Sequence, residues 1–366
     1  MLRNQHFNIP VVLPVIPSKK VFFKSVNEIL ECRRLTNFGF YHDKLQSALE
    51  NYLNVSNLLL VANGTLALQV AIKTYIIENE LKKNILAIDT TPFSFVATTS
   101  AAKWLGLKPK FFDIQKNGTI DPSKIDSMRS KLLLATNVYG NSCDTEKLNV
   151  LYGEENIIYD SSHCFGVRGS SNILTRGFAS TLSFHATKVF STIEGGAIVF
   201  KSKSSFEIAK RIINFGFNDN GNIETVGINA KLSELHAAFG LALMTEVDDF
   251  ISKRREIAAI YNEHLKSAPV ASMVEDTPSH ISNFAYYPIV FRTEEYLLQV
   301  MSILASQGIQ SKRYFYPSLE NVFCQADLDS KCTVASDISK RILCLPMYPE
   351  LNFDEAVNIS KLISTK

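Results

Sequence analysis

Six cysteines in a chain of 366 residues form no Cys-x-x-Cys pair, and no histidine stands at zinc-ligand spacing from them. Neither a structural zinc centre nor a disulfide framework is expected. Cys32, Cys143, Cys164, Cys324, Cys332 and Cys344 are expected to be buried free thiols, and no metal is expected. Long apolar runs are missing as well. Nothing approaches the roughly 18 residues of a membrane span, and Met1 to Pro10 lacks the apolar core of a secretion signal. A cytoplasmic protein that engages no membrane is expected. Charge of one sign is also scarce: 38 Lys and Arg against 36 Asp and Glu leave a formal net charge of +2, with no long run of like charge. That balance gives no electrostatic reason to bind nucleic acid or a lipid surface, and it leaves a small molecule as the default partner. Internal repeats and low-complexity segments are absent. The first strand-turn-helix lacks the Gly-x-Gly-x-x-Gly of dinucleotide-binding proteins, and no helix-turn-helix placement points to a DNA-binding regulator.

What is present, 46% hydrophobic and 20% charged, suffices for one large core plus a smaller satellite domain. Residues 1 to 30, punctuated by Pro10, Pro14 and Pro17, are expected to wrap the surface until a helix starts near Ser25; Leu45, Leu49 and Leu53 mark a second helix over 43–54. From Leu58 the chain alternates strand and helix. Strands are expected at 58–62, 85–88, 110–114, 131–137, 157–159, 180–184 and 197–200, with helices ending near Ile77, Leu105 and Phe215. The Asn- and Gly-rich stretch Gly216 to Gly227 is a loop, and Gly227 to Leu235 is expected to open a long helix that continues through Tyr261. Beyond it an alternating strand at 286–291, a helix at 294–307, an extended run at 309–314 and a last helix at 353–363 suit an α+β unit. The expected division is a large α/β domain, 1–250, and a smaller C-terminal domain, 251–366.

Chemistry concentrates between Asp160 and Gly196. The apolar run Ile157-Ile158-Tyr159 delivers Asp160 at the end of a buried strand, where ligands of open α/β sheets bind. Lys188 follows the strand-like Ser180 to Phe184 and lies close to the small residues Ser191, Thr192, Gly195 and Gly196, a setting that brings an amine to a planar ligand. A carboxylate that keeps a pyridine nitrogen protonated and a lysine that holds an aldehyde are what pyridoxal 5′-phosphate requires. Taken singly, Asp160 also reads as a cap or turn residue and Lys188 as a surface charge. Asn63-Gly64-Thr65 by itself reads first as a tight turn, and its place in the first strand-turn-helix also offers free N–H groups to an anion.

The constellation Asp160-Ser161-Ser162-His163, Ser183-Phe184-His185-Ala186-Thr187-Lys188 and Glu194-Gly195-Gly196 resembles the DegT/DnrJ/EryC1/StrS sugar aminotransferases, fold-type I enzymes with a large mixed-sheet α/β domain and a small C-terminal α+β domain. Further matches, at Leu35-Thr36-Asn37-Phe38-Gly39, Thr91-Pro92-Phe93-Ser94-Phe95, Asn229-Ala230-Lys231-Leu232-Ser233-Glu234, Tyr316-Pro317 and Leu345-Pro346, extend the resemblance over nearly the whole chain. Ala230 departs from the Tyr or Phe that many members carry there. The resemblance implies roles. Lys188 is the catalytic lysine that carries pyridoxal phosphate, Asp160 faces the ring nitrogen, and His163 donates to the phenolic oxygen. Gly64, Thr65 and Ser183 form the phosphate cup, and Phe95 stacks on the ring. Thr36, Asn37 and Tyr316 bind substrate at the mouth. His185 stays ambiguous, and its role can be packing alone.

The implied reaction runs in two halves: L-glutamate gives its amino group to the cofactor, which becomes pyridoxamine phosphate, and a sugar ketone receives it. The implied acceptor is a nucleotide-linked 4-keto-6-deoxy sugar, dTDP-4-keto-6-deoxy-D-glucose, giving the 4-amino-4,6-dideoxy sugar for O-antigen or other glycan synthesis. A 3-keto acceptor is the alternative on the same scaffold. A sugar dehydratase is disfavoured because such enzymes carry histidine in place of Lys188. A homodimer is implied in which Asn229 reaches the partner's cofactor phosphate; an Asn that caps its own helix is the plainer reading.

Overall fold

The computed structural model describes residues 7–80, 87–127, 129–323 and 332–364. Cys324 and residues 85 and 86 of an expected strand lie outside them. Helices α1 (Lys19–Cys32) and α2 (Phe40–Leu53) precede the first α/β unit, β1 (Leu58–Val61) and α3 (Gly64–Glu78). Then come β2 (Ala87–Thr90), α4 (Val96–Trp104), β3 (Lys108–Phe111), β4 (Leu133–Thr136), α5 (Thr145–Tyr152) and β5 (Ile157–Asp160). A two-residue strand β6 (Arg168–Gly169) leads to β7 (Ala179–Ser183), β8 (Gly196–Phe200) and α6 (Lys203–Ile212).

Seven of these strands form one mixed sheet in the order β1-β8-β7-β5-β4-β2-β3, in which β8 runs antiparallel to both neighbours and the other pairings are parallel. Strand residues alternate between two cores, as the period of two requires. Leu58 and Leu60 of β1 enter the cluster beneath α1, α2 and the later helix α7 (Glu234–Leu243), whereas Leu59 and Val61 enter the one beneath α3 and α6. The register sets Thr136 beside Asp160, Asp160 beside Thr181, and Ser183 beside Gly196, which also faces Val61. One edge of the sheet therefore collects the carboxyl ends of β1, β4, β5 and β7 and the start of β8.

After α7 and α8 (Val247–His264), strands β9 (Val270–Ser272), β11 (Tyr287–Phe291) and β12 (Ile342–Leu345) make a three-stranded antiparallel sheet. It packs with α9 (Glu294–Ser306), α11 (Thr333–Arg341) and α12 (Phe353–Ser364), while the short α10 (Glu320–Phe323) follows the 314–317 segment. Strand β10 (His280–Ile281) pairs with β6 and ties the two regions together. Helix α8 spans position 250 without a break: Val247 and Phe250 pack with α2 and α7, and Ile257, Ala258 and Tyr261 pack with the second sheet.

Several expectations need correction. Cys32, expected to be buried, is exposed at the end of α1, and the long helix expected to continue through Tyr261 is interrupted between Leu243 and Val247, giving α7 and α8. The helix expected from Gly227 starts instead at Glu234, with the Ser233 side chain accepting from the His236 N–H. The backbone upstream is already engaged, Ile228 O accepting from the Phe215 N–H and Ala230 O from the Ala62 N–H, so the carbonyls a helix would need are taken and residues 228–230 are extended rather than helical. The first helix begins at Lys19, six residues before Ser25. α5, β9, α11 and β12 are among the elements that match no expectation, because segments this short carry too little periodicity to stand out.

Candidate active site

At the collecting edge of the sheet lies a cavity of about 400 Å³, and it brings Gly64, Thr65, Phe95, Asp160, His163, Ser183 and Lys188 into one lining. β5 ends in Asp160, whose carboxylate is held from both sides. Oδ1 accepts from the Ser162 N–H (3.2 Å) and Oγ (2.6 Å), and Oδ2 accepts from Thr98 Oγ1 (2.6 Å). Thr98 reaches it because α4 begins just after Phe95, which puts Phe95 and Thr98 one turn apart on the same face. Behind Thr98 the donors line up: Ser94 Oγ lies 2.7 Å from Thr98 Oγ1, and Thr136 Oγ1 donates to Ser94 at 3.2 Å. A buried file of hydroxyls thus ends on the carboxylate and fixes its direction.

His163 sits three residues on. Its Nδ1 accepts from the Tyr139 N–H at 2.9 Å, which leaves the ring proton on Nε2 as a donor. Burial, with the Lys188 charge adding to it, pushes the imidazole well below its usual range, so the ring is neutral. Lys188 follows β7 across a turn, in which its N–H donates to His185 O, and its amine reaches the Tyr286 hydroxyl at 3.4 Å. Desolvation lowers the amine from 10.5 to about 8, against the opposing pull of Asp160.

The N-terminus of α3 closes another wall. Asn63 Oδ1 takes the Leu66 N–H at 2.8 Å, so the N–H groups of Gly64 and Thr65 are left without an intrahelical acceptor. A Cβ on Gly64 would stand 2.8 Å from Ser183 Cβ, and one on Gly196 would stand 2.8 Å from the Asn63 carbonyl carbon. Glycine at these two positions lets β1, β7 and the helix start converge. The resulting cradle of two N–H groups, a helix N-terminus and Ser183 suits a phosphate. Together with a fixed carboxylate and a neutral imidazole donor, these residues fit pyridoxal phosphate.

The four remaining expected residues do not line this cavity. Thr36 and Asn37 lie exposed in the α1–α2 connection, with Asn37 O accepting from Arg34. Tyr316 is half-exposed beneath the Arg313 guanidinium, and Asn229 is exposed on its extended segment. The reading of Asn229 as a cap of its own helix is corrected by Ser233, which holds that position. His185 does more than pack: Nδ1 lies 2.8 Å from Thr187 Oγ1, Nε2 lies 3.7 Å from the Glu194 carboxylate, and the ring borders the cavity. Tyr286, Lys312, Tyr314 and Phe315 also line it, and sequence reasoning missed them. They come from the region after residue 250, and no local spacing marks which aromatic of Phe284-Ala285-Tyr286-Tyr287 faces inward.

Glu234 explains part of the Asn229-to-Glu234 signature. Its buried carboxylate accepts from the N–H groups of Tyr41 and His42, both at 2.8 Å, at the start of α2. This anchors the Thr36-Asn37 loop to α7.

The model of the DegT/DnrJ/EryC1/StrS aminotransferase family matches residues 18–364. A dTDP-4-amino-4,6-dideoxy-D-glucose transaminase of Shigella dysenteriae is 37% identical over 355 residues, 94% of this chain and 95% of that one. An Escherichia coli transaminase of the same description is 33% identical, covering 98% of both chains. Among solved structures, Helicobacter pylori PseC, an aminotransferase involved in the biosynthesis of pseudoaminic acid, superposes with a TM-score of 0.84 at 26% identity, covering 97% of this chain and 98% of its own. DesI, solved in the presence of its TDP-sugar product, superposes with a TM-score of 0.88 at 23% identity, covering 99% of this chain and 94% of its own.

Proposed function

This chain belongs to the DegT/DnrJ/EryC1/StrS aminotransferase family, and on that premise we propose that it moves the amino group of L-glutamate to C4 of dTDP-4-keto-6-deoxy-D-glucose. It is a pyridoxal-phosphate-dependent sugar aminotransferase. The acceptor is proposed from the relatives, two of which are described as dTDP-4-amino-4,6-dideoxy-D-glucose transaminases at 33% and 37% identity over nearly the full chain. The product then serves O-antigen or other glycan synthesis, and the cytoplasm is the proposed compartment.

One observation carries the chemistry: a lysine amine lowered to about 8 shares a cavity with a fixed carboxylate and a neutral imidazole. The bound cofactor supplies an electron sink for the pair of electrons left when a proton departs from the donor carbon. Lys188 holds the cofactor and, once released, moves that proton, since an amine near 8 is free base often enough to accept it and acidic enough to return it. Asp160 keeps the ring nitrogen protonated. His163 Nε2–H donates to the phenolic oxygen, Phe95 covers the ring, and Gly64, Thr65 and Ser183 seat the phosphate.

A homodimer completes the proposal. Asn229 is exposed beside Phe215, Ile223, Val226 and Ile228, which are 50%, 71%, 79% and 39% exposed. An apolar patch of this kind suits a two-fold interface in which each Asn229 reaches the other chain's phosphate. Thr36, Asn37 and Tyr316 are assigned to the sugar nucleotide at the mouth, and the large and small domains are divided at 250/251, within α8.

Incubating the enzyme and glutamate with dTDP-linked 4-keto and 3-keto sugars, and reading the products by NMR, tests the acceptor. Amination at C4 is expected, and amination only at C3 refutes the assignment.

A further inference from the structure

Tyr286 stands directly before β11, on the part of the chain that contributes neither Asp160 nor Lys188. Its ring is boxed by three others: His163 edge-on at 4.8 Å, Tyr314 at 5.6 Å and Tyr139 at 5.9 Å. Its position is set from the site side as well. Asn283, fully buried, donates through Nδ2 to the carbonyls of His163 and Phe165, both at 2.8 Å, and its Oδ1 accepts from the Ala285 N–H at 2.9 Å. The segment entering β11 is thereby clamped to the loop that leaves β5, and Tyr286 is the first side chain beyond the clamp that reaches the cavity.

The hydroxyl is spent on one contact. Among the described residues it makes a single hydrogen bond, from the Lys188 amine at 3.4 Å, and that is also the amine's own single hydrogen bond. Burial holds the phenol well above its usual range, so it stays protonated and neutral, and serves as an acceptor for the ammonium. The other titratable groups facing the amine are Asp160, His163 and Cys164, all from the β5 strand and the loop behind it. None of them is a hydrogen-bond partner of Nζ.

We infer that Tyr286 is a positioning residue for Lys188: the small sheet supplies the phenol oxygen that holds the lysine amine, when it is not bound to the cofactor, beside Asp160 and His163. This rests on the reading of Lys188 as the cofactor-bearing lysine. A phenol that only packs would be replaced by phenylalanine without consequence. A phenol that accepts from the ammonium stabilises the charged amine, and its loss lowers the amine's titration midpoint.

The test is Tyr286→Phe in full-length protein freed of cofactor. Lys188 is acetylated with trace acetic anhydride across pH 6 to 10, and the Lys188 peptide is quantified by mass spectrometry, with a single cooperative urea transition of unchanged slope confirming that the variant is folded. The midpoint is expected to fall below the wild-type value by about 0.5–1 pH unit. In the loaded enzyme kcat is expected to drop about tenfold with little change in KM. A midpoint that matches wild type overturns the inference, whatever the activity does. Borohydride reduction of loaded wild-type enzyme tests the underlying reading separately: label on a lysine other than Lys188 refutes that reading and leaves the titration result standing.

Discussion

Replacing Lys188 with methionine should make the cofactor-free protein more stable near neutral pH. The ammonium is buried at a cost, and the cost follows from its titration. Desolvation lowers the amine from 10.5 to about 8, which at ~1.4 kcal/mol per pH unit corresponds to about 3 kcal/mol against the folded state. The side chain lines a cavity and is partly exposed there, so water screens some of this and about 2 kcal/mol is the working figure. The sign follows from proton counting. The unfolded chain holds the Lys188 proton up to about 10.5 and the folded chain releases it near 8, so the penalty is full below pH 8 and fades as the pH rises to 10.5. Methionine has a similar length and no charge to desolvate. Asp160 is not orphaned by the change, since Ser162 and Thr98 still supply its three hydrogen bonds, and the Tyr286 hydroxyl, which loses its lysine partner, lines the cavity where water can take that place. The assay is urea unfolding of both cofactor-free proteins at pH 7.0, 9.0 and 10.5, at one protein concentration because association shifts apparent stability. Lys188→Met should be the more stable by about 2 kcal/mol at pH 7 and nearly equal to wild type at pH 10.5. A variant less stable at pH 7, or an advantage that does not change with pH, would refute the reasoning.

Gly64→Ala places a Cβ 2.8 Å from Ser183 Cβ and should cost about 1–3 kcal/mol of stability and weaken cofactor binding in an absorbance titration. Adding Ser183→Gly removes the clashing atom, so the double variant should recover at least about 1 kcal/mol relative to the sum of the singles, whereas strict additivity would show that the contact is not the cause. Glu234→Gln keeps the shape but leaves one acceptor oxygen, so one of the two bonds from the Tyr41 and His42 N–H groups is lost and an NH2 faces the unpaired donor; a loss of about 1–3 kcal/mol by urea unfolding is expected, and no loss would mean the carboxylate does not anchor α2. Mixing Lys188→Ala with an inactive Asn229 variant, then unfolding and refolding them together, should restore activity if Asn229 acts across the dimer, because each mixed dimer regains one intact site. A mixture that stays inactive removes that assignment.

The sequence by itself determined the sheet and the side chains along one of its edges. Strong apolar runs such as Leu58–Val61 and Ile157–Tyr159 have few other conformations in which to bury themselves. A strand that ends in Asp160 must release it at the carboxyl edge, where Gly64, Ser183 and Lys188 also arrive through local strand-turn connections. What the tertiary structure decided is everything carried by contacts between distant segments. The helix expected to open at Gly227 gives way to an extended backbone because the N–H groups of Phe215, just past α6, and of Ala62, just past β1, take the carbonyls of Ile228 and Ala230 that a helix would need. Glu234 looks like an ordinary first-turn acid of its own helix, yet its carboxylate caps α2, which begins 194 residues earlier at Phe40. Tyr286 reaches Lys188 only because Asn283 grips two carbonyls of the β5 loop across 120 and 118 residues of chain. Local periodicity reports which face of an element is buried; which distant atom waits there is fixed by the closing of the chain on itself, and no spacing along the sequence encodes it.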